Sequence, residues 1–400
     1  MSKQIQDAYI VAATRLPVGR RKGMLGHVRP DDMLAHAIRS VMAQVPGLDP
    51  AMVEDVIVGC AMPEAEQGMN VARIGLLLAG LPNSVPGVTV NRFCASGLQT
   101  VAMAADRIRL GEAEVMIAAG TETMSLMNQM MGNKIALNPA IFEKEENYAI
   151  GFGMGITAEK VAAQWKISRE DQDAFAVASN QKACAAIAAG HFKAEISPYA
   201  VKARVPNLQT GEVTVKEYLA ENDEGPRSDS SLAGLARLRP VFAARGTVTA
   251  GNSSQMSDGA AAVLVVSEKI LKQFDLRPLA RFAGFSVAGV APEIMGIGPV
   301  EAIPRVLKRA GVRQDEVDWF ELNEAFAAQA LAVVRTLELD PAKVNPLGGA
   351  IALGHPLGAT GTIRTATLVH GLQRTRQRYG MVSMCIGTGM GAAGLFESLQ

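Results

Sequence analysis

The sequence predicts an α/β protein made of two copies of one folding unit, with a long insertion in the first. Three observations carry this. Short apolar, β-branched runs alternate with stretches of helical spacing. A weak internal repeat relates the two ends of the chain. The stretch from about Ser125 to Val248 fits neither copy.

Each element follows from local pattern. Val56-Ile57-Val58, Val88-Thr89-Val90 and Val115 to Ala119 read as buried strands of the first copy. Between the last two, Leu98, Val101, Ala102, Ala105 and Ile108 recur at helical spacing, which predicts a helix from Ala95 to Leu110. Gly111 then falls where a helix C-cap belongs. In the second copy, Val317 to Leu322 and Met381 to Cys385 read as strands.

The repeat aligns these pieces. In the first half VTVN leads to CASG, a helix, and then EVMIAAGTET. In the second, VNPLGG leads to GHPLGATG, a helix, and then GMVSMCIGTGMG. Ala95-Ser96-Gly97 mirrors Ala359-Thr360-Gly361, and Gly120-Thr121 mirrors Gly387-Thr388. VEDVIVGCAM mirrors DEVDWFELNEA. Two such units packed face to face would bring equivalent loops to one shared site. The insertion opens with Met124, Met127, Met130 and Met131 and continues through polar segments such as GEVTVKEYLAENDEGPRSDSS. The apolar run Ala260 to Val266 is expected to rejoin the core as a strand.

Composition narrows the function. The chain has 400 residues, with 39 Lys+Arg against 39 Asp+Glu, so its formal net charge is zero. That balance argues against a nucleic-acid or anionic-membrane partner, which calls for a basic excess. The 48% hydrophobic and 20% charged content is that of a globular protein. None of the four cysteines, Cys60, Cys94, Cys184 and Cys385, lies in a CxxC spacing, so neither a metal site nor a disulfide framework is expected. Reduced thiols then imply a cytoplasmic location. The N-terminus has no secretory apolar core. Met381 to Phe396 is interrupted by glycines and is shorter than the roughly 18 residues of a membrane span. Ser398-Leu399-Gln400 is no peroxisomal tripeptide.

Gly389 to Gly394 matches GxGxxG, but the chain gives no room after it for a helix, a second strand and an acidic ribose ligand. With no phosphate-binding GxxxxGK[ST] loop either, no tightly bound cofactor is expected.

The chemistry concentrates on a few residues. Cys94 ends a predicted strand directly before a helix, in Asn91-Arg92-Phe93-Cys94-Ala95-Ser96-Gly97. A helix N-terminus favours the thiolate, so a lowered thiol pKa is expected there. A buried structural cysteine is the alternative reading of Cys94 alone. His355 sits in a tight Gly- and Pro-rich loop, Gly348 to Gly361, and is suited to take a proton from a thiol. Cys385 ends a buried strand, where α/β proteins place reactive groups. Asn323 ends the strand before His355; its amide can hold a water, donate to an oxyanion, or cap a helix.

Five blocks, NRFCASG, TAGNSSQMSDGAAA, NEAFA, GGAIALGHPLGATG and CIGTGMGAAG, resemble the thiolase family in order, over nearly the whole chain. The resemblance implies a thiolase-like duplicated fold: two mixed-sheet α/β cores packed in αβαβα layers with an inserted loop domain. Residues 1–124 and 249–272 would form the N-terminal core, 125–248 the coenzyme A-binding loop domain, and 273–400 the C-terminal core. Cys94 would be the nucleophile, His355 its proton acceptor and Cys385 the acid/base at the substrate α-carbon. Asn323 would hold a water in one oxyanion hole with His355. Backbone N–H groups of Cys94 and Gly387 would form another. Ser254 would touch the pantetheine arm of coenzyme A, and Met154 would line the acyl pocket. Arg227 is a weaker candidate for a coenzyme A phosphate contact, a plain surface arginine being the favoured reading.

The resemblance further implies acyl-CoA and coenzyme A as substrates and assembly as a homodimer or homotetramer. A hydratase/dehydrogenase partner subunit is a further possibility it carries. Gly153 stands where acetoacetyl-CoA thiolases often carry His, which points to a degradative 3-ketoacyl-CoA thiolase of β-oxidation. The alternatives are a biosynthetic acetoacetyl-CoA thiolase, a non-catalytic lipid carrier and a related ketosynthase. A ketosynthase would need no Cys385.

Overall fold

The β-branched and alanine-rich runs become strands buried on both faces, as expected where helices cover both sides of a sheet. The structure, a computed structural model, describes residues 5–126 and 137–399. Its strands are β1 (Ala8–Arg15), β2 (Gly19–Arg20), β3 (Asp55–Gly59), β4 (Gly87–Val90), β5 (Val115–Thr123), β6 (Tyr199–Pro206), β7 (Val213–Ala220), β8 (Ser257–Ser267), β9 (Ala280–Gly289), β10 (Val317–Leu322), β11 (Tyr379–Ile386) and β12 (Met390–Glu397). The main sheet runs β10-β11-β12-β9-β1-β8-β5-β3-β4, with β2 beside β8, while β6 and β7 form a separate hairpin.

The duplication is visible in the strand directions. In the first copy β4, β3 and β5 are parallel, then β8 and β1 follow antiparallel. In the second, β10 and β11 are parallel, then β12 and β9 follow antiparallel. A parallel bridge between Phe320 and Val344 takes the place of β4. The copies join where β1 meets β9, at Tyr9–Arg281 and Ile10–Ala280.

The helices are α1 (Pro30–Ala43), α2 (Val71–Leu78), α3 (Ser96–Arg109), α4 (Met154–Gln164), α5 (Arg169–Ala188), α6 (Leu232–Ala236), α7 (Glu268–Phe274), α8 (Gly298–Ala310), α9 (Ala327–Thr336), α10 (Ala350–Leu353) and α11 (Leu357–Thr375). Leu34, Ile38 and Leu76 of α1 and α2 pack on Val56, Ile117 and Leu264 at one outer face. Ile303, Val306 and Val333 of α8 and α9 pack on Phe320, Met381 and Leu395 at the other. Between the sheet halves lie α3 and α11, where Leu98, Val101, Leu368 and Val369 bury against Ile57, Met116, Val382 and Met384. The layers are therefore α, β, α, β, α.

The two central helices nearly touch at their backbones. A Cβ on Gly361 would stand 2.0 Å from the Leu98 nitrogen, and one on Gly97 would stand 2.6 Å from Thr362 Oγ1. Only glycine permits that approach. At the far end of α3, Gly111 is left-handed (φ +66°), as the sequence predicts. Its N–H bonds to the Ile108 carbonyl at 2.8 Å, and the Glu112 N–H bonds to that of Arg107 at 3.0 Å.

The insertion leaves the sheet after β5 and returns through β8, which spans the predicted Ala260–Val266 run. Met127, Met130 and Met131 lie outside the described residues. Met124 is buried, and its sulfur accepts the Ser257 N–H at 3.4 Å. The GxGxxG stretch becomes a turn at Gly389 (φ +91°) and then β12.

Candidate active site

Cys94 sits in a single 3₁₀ turn, Phe93–Ala95, between β4 and α3. Phe93 adopts a left-handed φ of +45°, a conformation that costs a non-glycine residue energy and persists when its surroundings fix it. The fixing bonds are present: Asn91 Oδ1 accepts the Phe93 N–H, Ser96 Oγ accepts that of Arg92, and the Ser96 hydroxyl donates to the Phe93 carbonyl.

The thiol is not activated in the resting site as helix-dipole reasoning predicts. Burial pushes the Cys94 thiol up to about 11, outweighing the Gly387 N–H and its own N–H, which favour the thiolate. The nearby Glu122 charge adds to the rise. The dipole effect of a helix end is modest beside the cost of burying an anion.

His355 lies in the Gly354-His355-Pro356 link between α10 and α11. Gly354 has φ +93°, and a Cβ there would meet Ser257 Oγ at 2.6 Å. The imidazole is buried. Its Nδ1 lies 2.7 Å from Thr360 Oγ1, its Nε2 3.3 Å from Asn323 Nδ2, and its backbone N–H bonds to Ser257 Oγ at 3.1 Å. Burial, then the Arg364 charge, lowers its pKa to about 3, so the ring is neutral. With the Asn323 amide donating to Nε2, Nδ1 carries the hydrogen and donates to Thr360, leaving Nε2 unprotonated. Helix α11 packs against the Cys94 turn, so His355 enters the site from the other copy.

Asn323 follows β10 and is buried, its N–H bonded to the Ser383 carbonyl at 2.8 Å. It caps no helix, because Phe326 is the N-cap of α9. Its Oδ1 is buried without a hydrogen-bond partner, which suits a site that holds a water or a ligand.

Cys385 ends β11 and is fully buried. Burial first, then the Cys94 charge, raises its pKa well above the ordinary thiol value, so the two sulfurs sense each other. All four cysteines are free thiols. Cys385 clusters with Ala158, Met295, Ala325 and Phe326, and Met154 packs against that cluster. A Cβ on Gly387 would stand 3.3 Å from Met154 sulfur. Met154, Gly387, Cys94 and Cys385 therefore share one locus.

Ser254 and Arg227 lie further out. The Ser254 N–H bonds to the Ala325 carbonyl at 2.9 Å, strapping its turn to the Asn323 loop. Its neighbours Ser253 and Gln255, with Arg227 and Arg20, line a cleft of about 370 Å³. Arg227 faces Asp229 at 3.7 Å with its guanidinium largely exposed.

Residue reasoning passed over several polar partners. Thr360 and Ser257 orient His355. Glu324 is buried and accepts from Ser179, Asn345 and the Ile351 N–H. Glu122 is buried at the end of β5. The available signal was an acidic residue at or just past the end of two apolar strands, Glu122 in β5 and Glu324 after β10, a position that demands a partner.

The sequence matches the family described as thiolase, N-terminal domain, over residues 8–269, and that described as thiolase, C-terminal domain, over residues 276–398. The chain belongs to the thiolase family. It is 50% identical over 395 residues to a 3-ketoacyl-CoA thiolase of Bacillus subtilis (strain 168), covering 98% of this chain and 100% of that one. The crystal structure of the Bacillus anthracis acetyl-CoA acetyltransferase is similar at TM-score 0.89 and 38% identity, over 100% of both chains. That of human mitochondrial 3-ketoacyl-CoA thiolase is similar at TM-score 0.87 and 38% identity, over 99% of this chain and 100% of that one. Among the described residues of this thiolase no group of three or more His, Cys, Asp or Glu could hold a metal ion. No described helix is long and apolar enough to cross a membrane.

Proposed function

We propose that this thiolase cleaves 3-ketoacyl-CoA with coenzyme A, giving acetyl-CoA and an acyl-CoA shortened by two carbons, as in β-oxidation. The observation that carries the reading is the single locus where the partly buried Cys94 of the first copy meets the buried Cys385, the Gly387 N–H, His355 and Asn323, all supplied by the second copy.

The steps follow from the chemistry of these groups. Cys94 loses its proton to His355 Nε2 as its sulfur attacks the 3-oxo carbon. The thiol's high resting pKa makes it a strong nucleophile once ionised, and the unprotonated Nε2 gives its proton a local acceptor. Collapse of the tetrahedral adduct breaks the Cα–Cβ bond and expels an acetyl-CoA enolate. Cys385 gives that carbanion its proton, leaving acetyl-CoA and acyl-Cys94. Coenzyme A then yields its thiol proton to Cys385, and its sulfur attacks the acyl carbon. His355 returns the first proton as Cys94 leaves. The Gly387 and Cys94 N–H groups and the Asn323–His355 pair are assigned to the developing oxyanions, where losing one donor costs about 10²- to 10³-fold in rate.

The apolar wall of Met154, Met295 and Phe326 supports an acyl pocket, and the Ser253–Arg227 cleft supports a coenzyme A path through residues 125–248. The domain division 1–124 with 249–272, 125–248, and 273–400 belongs to the same proposal. Coenzyme A acts as substrate, with no cofactor held between turnovers. We assign the enzyme to the cytoplasm. A homodimer or homotetramer is part of the reading. It is supported by β4, which ends the sheet path with a half-exposed Val88 and stands near the exposed Met69, 93% accessible.

A second reading, condensation of two acetyl-CoA, is favoured by the likeness to an acetyl-CoA acetyltransferase. Side-by-side cleavage of acetoacetyl-CoA and a long-chain 3-ketoacyl-CoA by wild type and Cys94→Ala separates the two. Cleavage of both, lost in the variant, is expected. Cleavage of acetoacetyl-CoA alone would favour the second reading, and cleavage of neither would overturn both.

A further inference from the structure

The two copies meet the reactive centre with two helix N-termini, and they treat them differently. At α3 the Cys94 thiol, in the turn just before the helix, receives its own N–H and that of Gly387, which follows β11 of the other copy. At α11 the corresponding space is filled by the protein itself. Glu122, at the end of β5, is 1% exposed. Its Oε2 accepts the N–H of Gly358, the second residue of α11, at 2.8 Å, and that of Ala61 at 2.8 Å. Its Oε1 accepts from Gln67 Nε2 and faces the Cys60 sulfur at 3.8 Å. Gln67 is held in turn by the Met62 carbonyl and the Thr123 N–H.

Sterics enforce this cradle. A Cβ on Gly358 would stand 2.6 Å from the Cys60 Cα and 2.8 Å from Glu122 Oε2. Glycine there is what lets the first turn of α11 reach the carboxylate. Three residues before Gly358 is His355.

We infer that Glu122 is a positioning residue for the catalytic turn: its carboxylate, anchored in the first copy, clamps the N-terminus of α11 and so fixes His355 opposite Cys94. The inference rests on the thiolase reading above. It assigns work to a buried acid that the reaction steps do not otherwise use. Cys60, which follows β3 as Asn323 follows β10, contributes a thiol at the edge of this cradle, whereas its counterpart faces the imidazole.

The test compares wild type with Glu122→Gln and Gln67→Leu. Glutamine keeps length and can keep an oxygen on the Gly358 and Ala61 N–H groups, but its amide NH2 then faces the Gln67 Nε2 donor. The clamp then slips, and a displacement of about 1 Å in a catalytic group can cost up to roughly 10²-fold in rate. For Glu122→Gln the expected result is a kcat for 3-ketoacyl-CoA cleavage lower by roughly tenfold or more, with KM within about threefold. Gln67→Leu, which removes only a lateral support, is expected to lose roughly threefold in kcat. A kcat within twofold of wild type in Glu122→Gln overturns the inference while wild-type cleavage leaves the thiolase reading standing. If Glu122→Gln does not fold, Gln67→Leu decides by the same criterion.

Alkylation of Cys94 by iodoacetamide, which needs no acyl-CoA, gives an independent sign. The Glu122 charge opposes ionisation of Cys94, so losing the charge alone would speed alkylation. Losing the position of His355 would slow it. Alkylation slower by roughly threefold or more supports the clamp; an unchanged or faster rate overturns it, even if wild type cleaves no substrate.

Discussion

At the scale of single residues, the resting site is uncharged. Cys94 is pushed up to about 11 and His355 down to about 3, both chiefly by burial. Between those values the thiol keeps its proton and the imidazole has none. Ionisation of Cys94 therefore needs a local acceptor, and the Asn323 amide leaves Nε2 of His355 as that acceptor. In His355→Ala the acceptor is gone and only solvent can take the proton. Iodoacetamide labelling of Cys94 in that variant is expected to rise about tenfold per pH unit through the alkaline range and to be slow at pH 7. Wild type should label at neutral pH with a much shallower dependence. Parallel profiles in the two proteins would remove His355 from the proton's path.

At the scale of elements, the reactive turns depend on how closely α3 and α11 cross. Burying a Cβ there is impossible without moving one helix, since one on Gly361 would stand 2.0 Å from the Leu98 nitrogen. Gly361→Val is expected to lose about 2 kcal/mol or more, the upper part of the usual overpacking range, read as a drop in the urea midpoint. Activity should fall further than stability explains, because the displaced helix begins two residues after His355.

This crossing also marks what the sequence made legible. The strands at Val56, Val115, Val317 and Met381 were readable because buried parallel strands are nearly continuous apolar runs; Val88-Thr89-Val90, expected to be buried, is instead the partly exposed edge strand β4. The repeat of Ala-Ser-Gly with Ala-Thr-Gly pointed to paired loops before helices, which are α3 and α11. The thiol's protonation was misjudged because a helix N-terminus is visible in sequence and the depth of burial is not. The Glu122 cradle was missed for a related reason: its four partners come from three separate segments. No local pattern reports such a convergence.

At the scale of the whole molecule, the insertion must be held to the core so that its Met154 wall faces Cys385. Buried charge does this. Arg15, at the end of β1, is 1% exposed. Its Nε bonds to Glu195 at 2.6 Å, and its two terminal nitrogens bond to both oxygens of Asp223 at 2.7 and 2.9 Å. Glu195 and Asp223 both belong to the insertion, and Thr367 of α11 also donates to Glu195 at 2.8 Å. One guanidinium thus ties the first copy, the inserted segment and the helix of the second copy together. Arg15→Met keeps the volume but strands two carboxylates in a dry interior, for which a loss of about 3–5 kcal/mol is expected. The loss is read as a drop in the urea midpoint. A variant that is as stable as wild type at pH 7 would show that the clamp does not hold the insertion.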